Sequence, residues 1–508
     1  MKKRRPPPTE EFLPAAGSAM KLESLLKKIE IESVVGRSDV DVSCIACDSR
    51  HAKPGCLFVA IPGTRHNGWA FVEDGIARGA VAVVSEGGEL FRRDVTHVRV
   101  KDARKALGLL ADAFYGSPSA RMRICGITGT NGKTTTAYLV RSMFEETGEK
   151  AGLIGTVEYR IGERAIPASR TTPDAVTLHS LLARMVAAGC STSVMEVSSH
   201  GLAQNRVAGI EFDVAVLTNI TRDHLDYHGT LEAYFEAKSI LFRTLGLGAK
   251  KAVAVLNADD PAGERLRRMV GPGVATLSYG LSGTADVRAE DVRVLPDGTC
   301  ARIVTPWGKA EVKLRLIGRF NVSNVLAAVA AAGSQGIGLD RMLRSAAAFA
   351  GAPGRLEEIP TDMGFRVFVD YAHTDDALER VLSALREICS GRLIVTFGCG
   401  GNRDRTKRPA MGAVASRMAD LAVITSDNPR SEDPEAIIAE ILRGCSGAAN
   451  VEVRPDRGDA IKRCLEAAEA GDVVLVAGKG HEGFQELADR TVPFDDRVEI
   501  RKMLSCRS

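Results

Sequence analysis

Between Gly126 and Thr136 the chain reads GITGTNGKTTT, a stretch of glycines and threonines around one lysine. That composition suits a phosphate. Glycines let consecutive backbone N–H groups turn inward, a lysine reaches the outer phosphates, and the hydroxyl after it can meet Mg²⁺. The strict G-x-x-x-x-G-K-[ST] spacing is not kept, because Ile127 stands where its first glycine belongs. The preceding RMRIC reads as a strand and the following TAYLVRSMFEETG as an amphipathic helix, so the loop sits where phosphate loops sit. Gly129, Thr130, Asn131, Gly132, Lys133, Thr134 and Thr135 are therefore the expected cradle for ATP or GTP. Their bland alternative is a glycine-rich turn before a helical lysine.

Further polar residues gather after apolar runs. MEVSSHGLAQNRV places Glu196, Ser198, His200, Gln204 and Arg206 at the end of one such run. The carboxyl ends of parallel strands face the ligand crevice, so Glu196 is expected to ligate Mg²⁺ through a hard oxygen. TNITRDHLDYHGT adds Asp223, His224, Asp226 and His228 at the next run. His224 and His228 have the i, i+4 spacing of a zinc pair, but no H-E-x-x-H and no cysteine ligand accompany them. Lys238, in YFEAKSILF, reads on its own as the solvated face of an amphipathic helix.

The elements that must hold these residues fall into three groups. A chain of 508 residues is long enough for about three domains of ordinary size. A tail is expected over 1–19, where KKRRPPPTEEF is basic and proline-rich without the apolar stretch of a secretory signal. A first domain is expected over 20–122, with strands in GCLFVAIPG and GAVAVVSE and a helix in WAFVEDGIARG. A second, over 123–352, alternates apolar strands with helical patterns and should form a largely parallel sheet. A third, over 353–508, follows the hinge-like GAPGR with its own series FRVFVDYA, RLIVTFGCG, LAVITSD, VEVRP and DVVLVAG, the pattern of a doubly wound fold. The site should lie where strand ends of different domains face one another.

Composition excludes several classes. Hydrophobic residues at 45%, charged residues at 26% and a net charge of +3 describe a globular protein with no call for a nucleic-acid or membrane partner. Eleven cysteines without framework spacing indicate reduced thiols and a cytoplasmic location. Cys44 and Cys47 form a C-x-x-C without a second pair, and both read as small packing residues of a strand.

Taken in order, GITGTNGKTTT, TTPD, MEVSSHGLAQNRV, TNITRDHLDYHGT, LNADD, GRFNVSNVLAA, PGRLE, VDYAHT, FGCGGNRDRTKRP, SDNPR and AGKGHE resemble the motifs of the Mur ligases, over essentially everything after Met20. The offset phosphate loop is then a family trait. The resemblance implies an α/β fold of three domains, with a central P-loop-type ATPase domain and a C-terminal Rossmann-like domain. It further implies an ATP-dependent amide ligase of cytoplasmic peptidoglycan precursor synthesis, acting as a monomer on two small-molecule substrates, UDP-MurNAc-L-Ala-D-Glu and meso-diaminopimelate. ATP would phosphorylate the carboxylate of the first, and the amine of the second would attack the acyl phosphate.

Site roles carried by the resemblance are as follows. Lys133, Lys238 and His224 would be catalytic, and Asn321, Arg355 and Asp370 would meet the nucleotide. Two Mg²⁺ sites are implied, with Thr134, Glu196 and His224 as ligands and Lys238 supplying one as its carbamate. Asp48, Ser49 and Arg50 would lie near the uridine end, while Thr171, Thr172, Ser198, Gln204 and Arg206 would hold the muramoyl dipeptide. Arg403, Asp427, Asn428, Pro429, Arg430, Gly478 and Glu482 would form the amino-acid pocket, with the Arg430 guanidinium on the distal carboxylate that distinguishes diaminopimelate from lysine. Asp375 departs from the family's usual proline and is expected to alter local helix capping. Competing readings are a lysine-adding relative, a folylpolyglutamate synthase and a catalytically silent nucleotide-binding regulator. A plain Asx-Pro turn would equally account for DNPR taken alone.

Overall fold

Short runs of β-branched residues, each closed by glycine or a polar turn, become the strands of three main sheets in the computed structural model, which describes residues 19–63, 67–90, 92, 94–445 and 447–506. Residues 1–18, most of the expected tail, lie outside the described residues. The first sheet orders its strands as Ser33–Val35, Thr96–Arg99, Ala80–Ser85, Cys56–Ala60 and Cys44–Ala46, parallel except for the antiparallel edge strand 33–35. Cys44 is in a strand as expected, but Cys47 lies beyond its end and is only half-buried.

The central sheet has a parallel core in the order Ala151–Ile154, Thr192–Glu196, Arg123–Thr128, Val214–Leu217, Val253–Asn257 and Ala275–Gly280. Two antiparallel extensions widen it. A hairpin, Glu158–Ile161 with Arg164–Pro167, adds to one edge. At the other edge Val287–Leu295 joins parallel to Ala275–Gly280 and then leads an antiparallel meander with Gly298–Thr305 and Gly308–Leu314. The largely parallel sheet read from sequence is thus mixed, since Pro296–Asp297 and Pro306–Trp307 each return the chain in a two-residue turn.

Helix Lys133–Glu145 follows the phosphate loop and packs on helix Arg319–Ser334. The second helix buries alanines, valines and a leucine on every side, so it lies within the central core. The C-terminal sheet runs Glu357–Ile359, Arg366–Asp370, Val473–Ala477, Leu393–Phe397, Leu421–Ile424 and Val451–Val453, all parallel but the first. Strand 473–477 lies between 366–370 and 393–397, which makes a switch point whose carboxyl ends carry Asp370, Gly478 and the loop after Phe397. Among the described residues no helix is long and apolar enough to cross a membrane.

Candidate active site

The phosphate loop is held open from below. Thr218 Oγ1 donates to Asn131 O at 2.6 Å, Asn219 Nδ2 donates to the same oxygen at 3.1 Å, and Asn131 N donates to Asn219 Oδ1 at 3.0 Å. Gly132 has φ +83°, and a Cβ there would collide with Asn324 Oδ1, so both backbone conformation and space require glycine. Lys133 is half-buried, and its Nζ curls back to donate to Gly129 O at 2.9 Å and Thr130 O at 2.8 Å.

Lys238 overturns its solvated reading. The side chain is 1% exposed, its Nζ donates to Gly129 O at 2.8 Å, and it lies 4.4 Å from the centre of the Tyr234 ring. Helix Leu231–Arg243 turns this face, with Tyr234 and Phe235, into the protein beneath the loop. Two lysines therefore share one carbonyl. Burial lowers both ammonium pKa values, Lys238 well below the ordinary lysine value with further help from the Lys133 charge.

Glu196 ends strand Thr192–Glu196 fully buried. Its Oε2 accepts from Thr134 Oγ1 at 3.1 Å and Thr156 Oγ1 at 2.9 Å, and its Oε1 accepts from Thr156 N at 2.8 Å. Thr134 and Glu196 are thus adjacent, as a shared hard-cation site needs. His224 and Lys238 have no hydrogen bond or ion pair with Glu196 among the described residues. His224 caps the short helix Leu225–His228 with φ +54°, beside Asp223 and 4.9 Å from the His200 ring, and burial lowers its pKa. His228 instead contacts Ser199 Oγ at 3.0 Å.

The C-terminal sheet completes a cavity of 690 Å³ over the loop, lined also by Glu196, Asn321, Arg355 and Asp370. That volume suits a nucleotide. Arg355 Nη2 donates to Thr134 Oγ1 at 3.2 Å and its guanidinium stacks 4.3 Å over Tyr371, while its buried Nε has no hydrogen-bond partner. Among the described residues that Nε is left without an acceptor, while the rest of the guanidinium lines the cavity and offers it positive charge. Asp370, its carboxyl pKa raised by burial, accepts from Leu356 N at 2.6 Å and Ala372 N at 2.7 Å. Asn321 accepts from Asn324 Nδ2 at 3.2 Å at the start of the buried helix.

Asp376 ties the two sheets together. Its Oδ2 accepts from Asn131 Nδ2 at 2.8 Å and Thr221 Oγ1 at 3.1 Å, and its Oδ1 accepts from Arg380 Nε at 2.9 Å. Asp375, beside it, does not disturb the helix cap. Thr374 Oγ1 accepts from Ala377 N at 3.3 Å, and Asp375 adds favourable charge in the first turn with Arg222 at 3.9 Å.

The residues assigned to the muramoyl dipeptide form one network. Thr172 Oγ1 donates to Glu196 O and accepts from Ser198 N, Arg206 Nη1 donates to Thr172 O, Arg206 Nη2 donates to Gln204 Oε1, and Thr171 Oγ1 lies 3.1 Å from Thr156 Oγ1. Ser49 stands apart. It is buried in a turn of the first domain, capped by the Asp48 carboxylate, with no hydrogen bond or ion pair to this network among the described residues.

The amino-acid candidates sit outside the cavity, at the strand ends of the C-terminal sheet. Asn428 Nδ2 donates to Glu482 Oε2 at 2.8 Å, and buried Lys479 lies 3.4 Å from Glu482 and 4.0 Å from Asp427. Burial and the Asp427 charge raise the Glu482 pKa. Gly478, at φ +109°, passes so close to Asp427 that a Cβ would sit 2.9 Å from Oδ2. Pro429 O accepts from Glu432 N at 3.0 Å and leads into Arg430, whose φ is +53°. Arg403 is exposed on the loop after Phe397; burial is the main cause that lowers the pKa of His200, with Arg403 adding a minor contribution.

Three family models match the chain, for the Mur ligase family catalytic domain at 41–115, the Mur ligase middle domain at 127–332 and the Mur ligase glutamate ligase domain at 354–480. A Geobacillus thermodenitrificans protein named UDP-N-acetylmuramoyl-L-alanyl-D-glutamate--2,6-diaminopimelate ligase is 44% identical over 95% of this chain and 99% of its own. The chain belongs to the Mur ligase family. A Mur ligase of the same name from Geobacter metallireducens is 45% identical, covering 95% of this chain and 98% of that one. A solved Mur ligase structure titled for the same enzyme superposes with TM-score 0.69 at 36% identity, over 96% of this chain and 99% of that chain.

Several residues of this site carried no sequence signal strong enough to select them. Asp376, Asn219, Asn324 and Thr156 contact the loop or Glu196, but each is a common polar residue whose partner lies far along the chain. Asp376 stood in VDYAHTDDAL beside the departure that drew notice, Asp375.

Proposed function

We propose that this protein joins meso-diaminopimelate to the free carboxylate of UDP-MurNAc-L-Ala-D-Glu at the expense of ATP, in the cytoplasm and as a monomer. The observation that carries the reading is the 44% identity, over 95% of the chain, to a ligase so named. A carboxylate is a poor electrophile until its oxygen takes the γ-phosphoryl group, releasing ADP. Attack by the diaminopimelate amine then expels phosphate, and loss of a proton from nitrogen leaves the amide. The loop N–H groups and Lys133 offset charge between the two anions that must meet, and Arg355 brings a further cation from the turn before the C-terminal sheet. Mg²⁺, for which Thr134, Glu196 and His224 with a carbamate on Lys238 are the ligands proposed, would neutralise phosphate charge. Burial of Lys238 supports the carbamate, because only the neutral amine adds to CO₂ and the buried site favours that form.

For amino-acid choice, Arg430 would pair with the distal carboxylate while Glu482 and neighbouring carbonyls meet the distal ammonium. The test is ATP-dependent ligation by purified protein with UDP-MurNAc-L-Ala-D-Glu and meso-diaminopimelate or L-lysine, with a folate substrate in parallel. Efficient use of diaminopimelate alone is expected. Equal use of lysine would overturn the role of Arg430, and activity on the folate alone would overturn the function.

A further inference from the structure

The hairpin Phe484–Glu486 and Thr491–Pro493 lies against the DNPR turn, yet nothing above gives it a task. It is bound there closely. Gln485 Nε2 donates to Asp427 O at 2.6 Å, Glu486 N donates to Asn428 Oδ1 at 2.9 Å, and Arg430 N donates to Glu486 O at 3.0 Å. The side chains continue the pairing, for Arg430 Nε donates to Glu486 Oε2 at 2.8 Å. A third contact, Arg430 Nη1 to Gly401 O at 2.8 Å, fixes the other side of the guanidinium.

We infer that Glu486 is a positioning residue for amino-acid specificity, holding the Arg430 guanidinium by its Nε edge so that Nη2 faces the distal carboxylate of the incoming amino acid. The inference rests on the pocket reading proposed for Arg430. An arginine side chain has many rotamers, and a planar fork recognises a carboxylate only when its plane is set beforehand. Here Nε and Nη1 each have an acceptor, whereas Nη2 has no hydrogen-bond acceptor among the described residues. The contact is only partly screened, with Arg430 and Glu486 side chains 25% and 22% exposed. Glu486 also reduces the net positive charge of the pocket, so its value lies in orientation. A free arginine would attract any anion, while an oriented one selects a carboxylate at a fixed distance.

The experiment measures kcat and KM for meso-diaminopimelate, L-lysine, ATP and the nucleotide substrate in wild type, Glu486→Ala, Glu486→Gln, Arg430→Ala and the Arg430→Ala/Glu486→Ala double variant. Glu486→Ala should raise KM for diaminopimelate about tenfold and lower its preference over lysine, the scale of one charge-assisted hydrogen bond. KM for ATP and for the nucleotide should stay within about twofold. Glu486→Gln, which still accepts from Nε, should recover most of the loss, and Glu486→Ala should add nothing once Arg430 is gone. Wild type that prefers diaminopimelate, with Glu486→Ala unchanged, overturns this inference alone. So does a loss that persists in the Arg430→Ala background. Wild type without preference for diaminopimelate overturns the pocket reading and this inference with it.

Discussion

The phosphate loop and the amino-acid pocket proposed around Arg430 would hold an anion in opposite ways. The loop is made of backbone, with glycine conformations and buried threonine and asparagine supports, and its lysines rest on its own carbonyls. The proposed pocket is made of side chains from separate strand ends, and its arginine is held by a carboxylate on a hairpin 56 positions further along the chain. A backbone cradle accepts any phosphate and leaves little to adjust, so selectivity has to reside in the second region, where a single residue changes what is recognised.

The largest effect should fall on the loop. Lys133→Ala is predicted to lower ligation by about three orders of magnitude, as loss of a charge on the transferred phosphoryl group does. Its thermal midpoint should scarcely move, because the side chain is half-buried and bonds only to loop carbonyls. Turnover near wild type in the folded variant would refute the cradle.

Arg430→Ala should come next and strike only one substrate. Losing a charge-assisted pair of about 2 to 5 kcal/mol predicts a fall of at least about thirtyfold in kcat/KM for diaminopimelate. Apparent affinity for ATP should hold, and equal damage to both substrates would erase the distinction drawn between the regions.

Asp376→Ala probes the tie between them. Removing its bonds to Asn131 and Thr221 should reduce kcat by about tenfold while each substrate still binds, since closure of one sheet on the other is weakened. Unaltered kcat, with binding of ATP verified separately, would make the carboxylate a passive surface group.

The smallest effect concerns the scaffold of the pocket under acid. Arg408, 1% exposed, donates to Glu432 at 2.9 Å and holds that carboxyl near 2, below the ordinary glutamate value of 4.5. A depressed carboxylate pKa contributes stability that is present above 4.5 and lost as pH falls towards 2. Glu432→Gln should therefore flatten the decline of the urea midpoint between those pH values. An identical decline in wild type and variant would assign acid sensitivity elsewhere.

Sequence made the loop legible because its determinants are contiguous, and the strand ends legible because apolar runs finish in polar residues such as Glu196 and Asp427. Lys238 illustrates the opposite case, since an amphipathic helix does not reveal which element covers its polar-looking face. Resemblance supplied its role, and the packing of Tyr234 and the loop supplied its burial. Asp376 and Asn131 are 245 positions apart, and Arg430 and Glu486 are 56 apart, so their pairing exists only after the sheets form. The antiparallel meander at 287–314 was written in its turns, but the strong alternation of the parallel units drew the reading away from it.

One hydroxyl described above has a bearing on waste. Thr134 Oγ1 donates to Glu196 of the central sheet and accepts from Arg355, in the turn that leads into the C-terminal sheet, so both halves meet at a single oxygen. Were the halves to separate, the arginine would leave and the cluster around the phosphate loop would be incomplete. Futile hydrolysis would then be suppressed by geometry, because ATP alone would meet a centre lacking one of its cations. Phosphate release from ATP without the nucleotide substrate should accordingly be slow beside ligation, and a comparable rate would show that the central sheet suffices by itself.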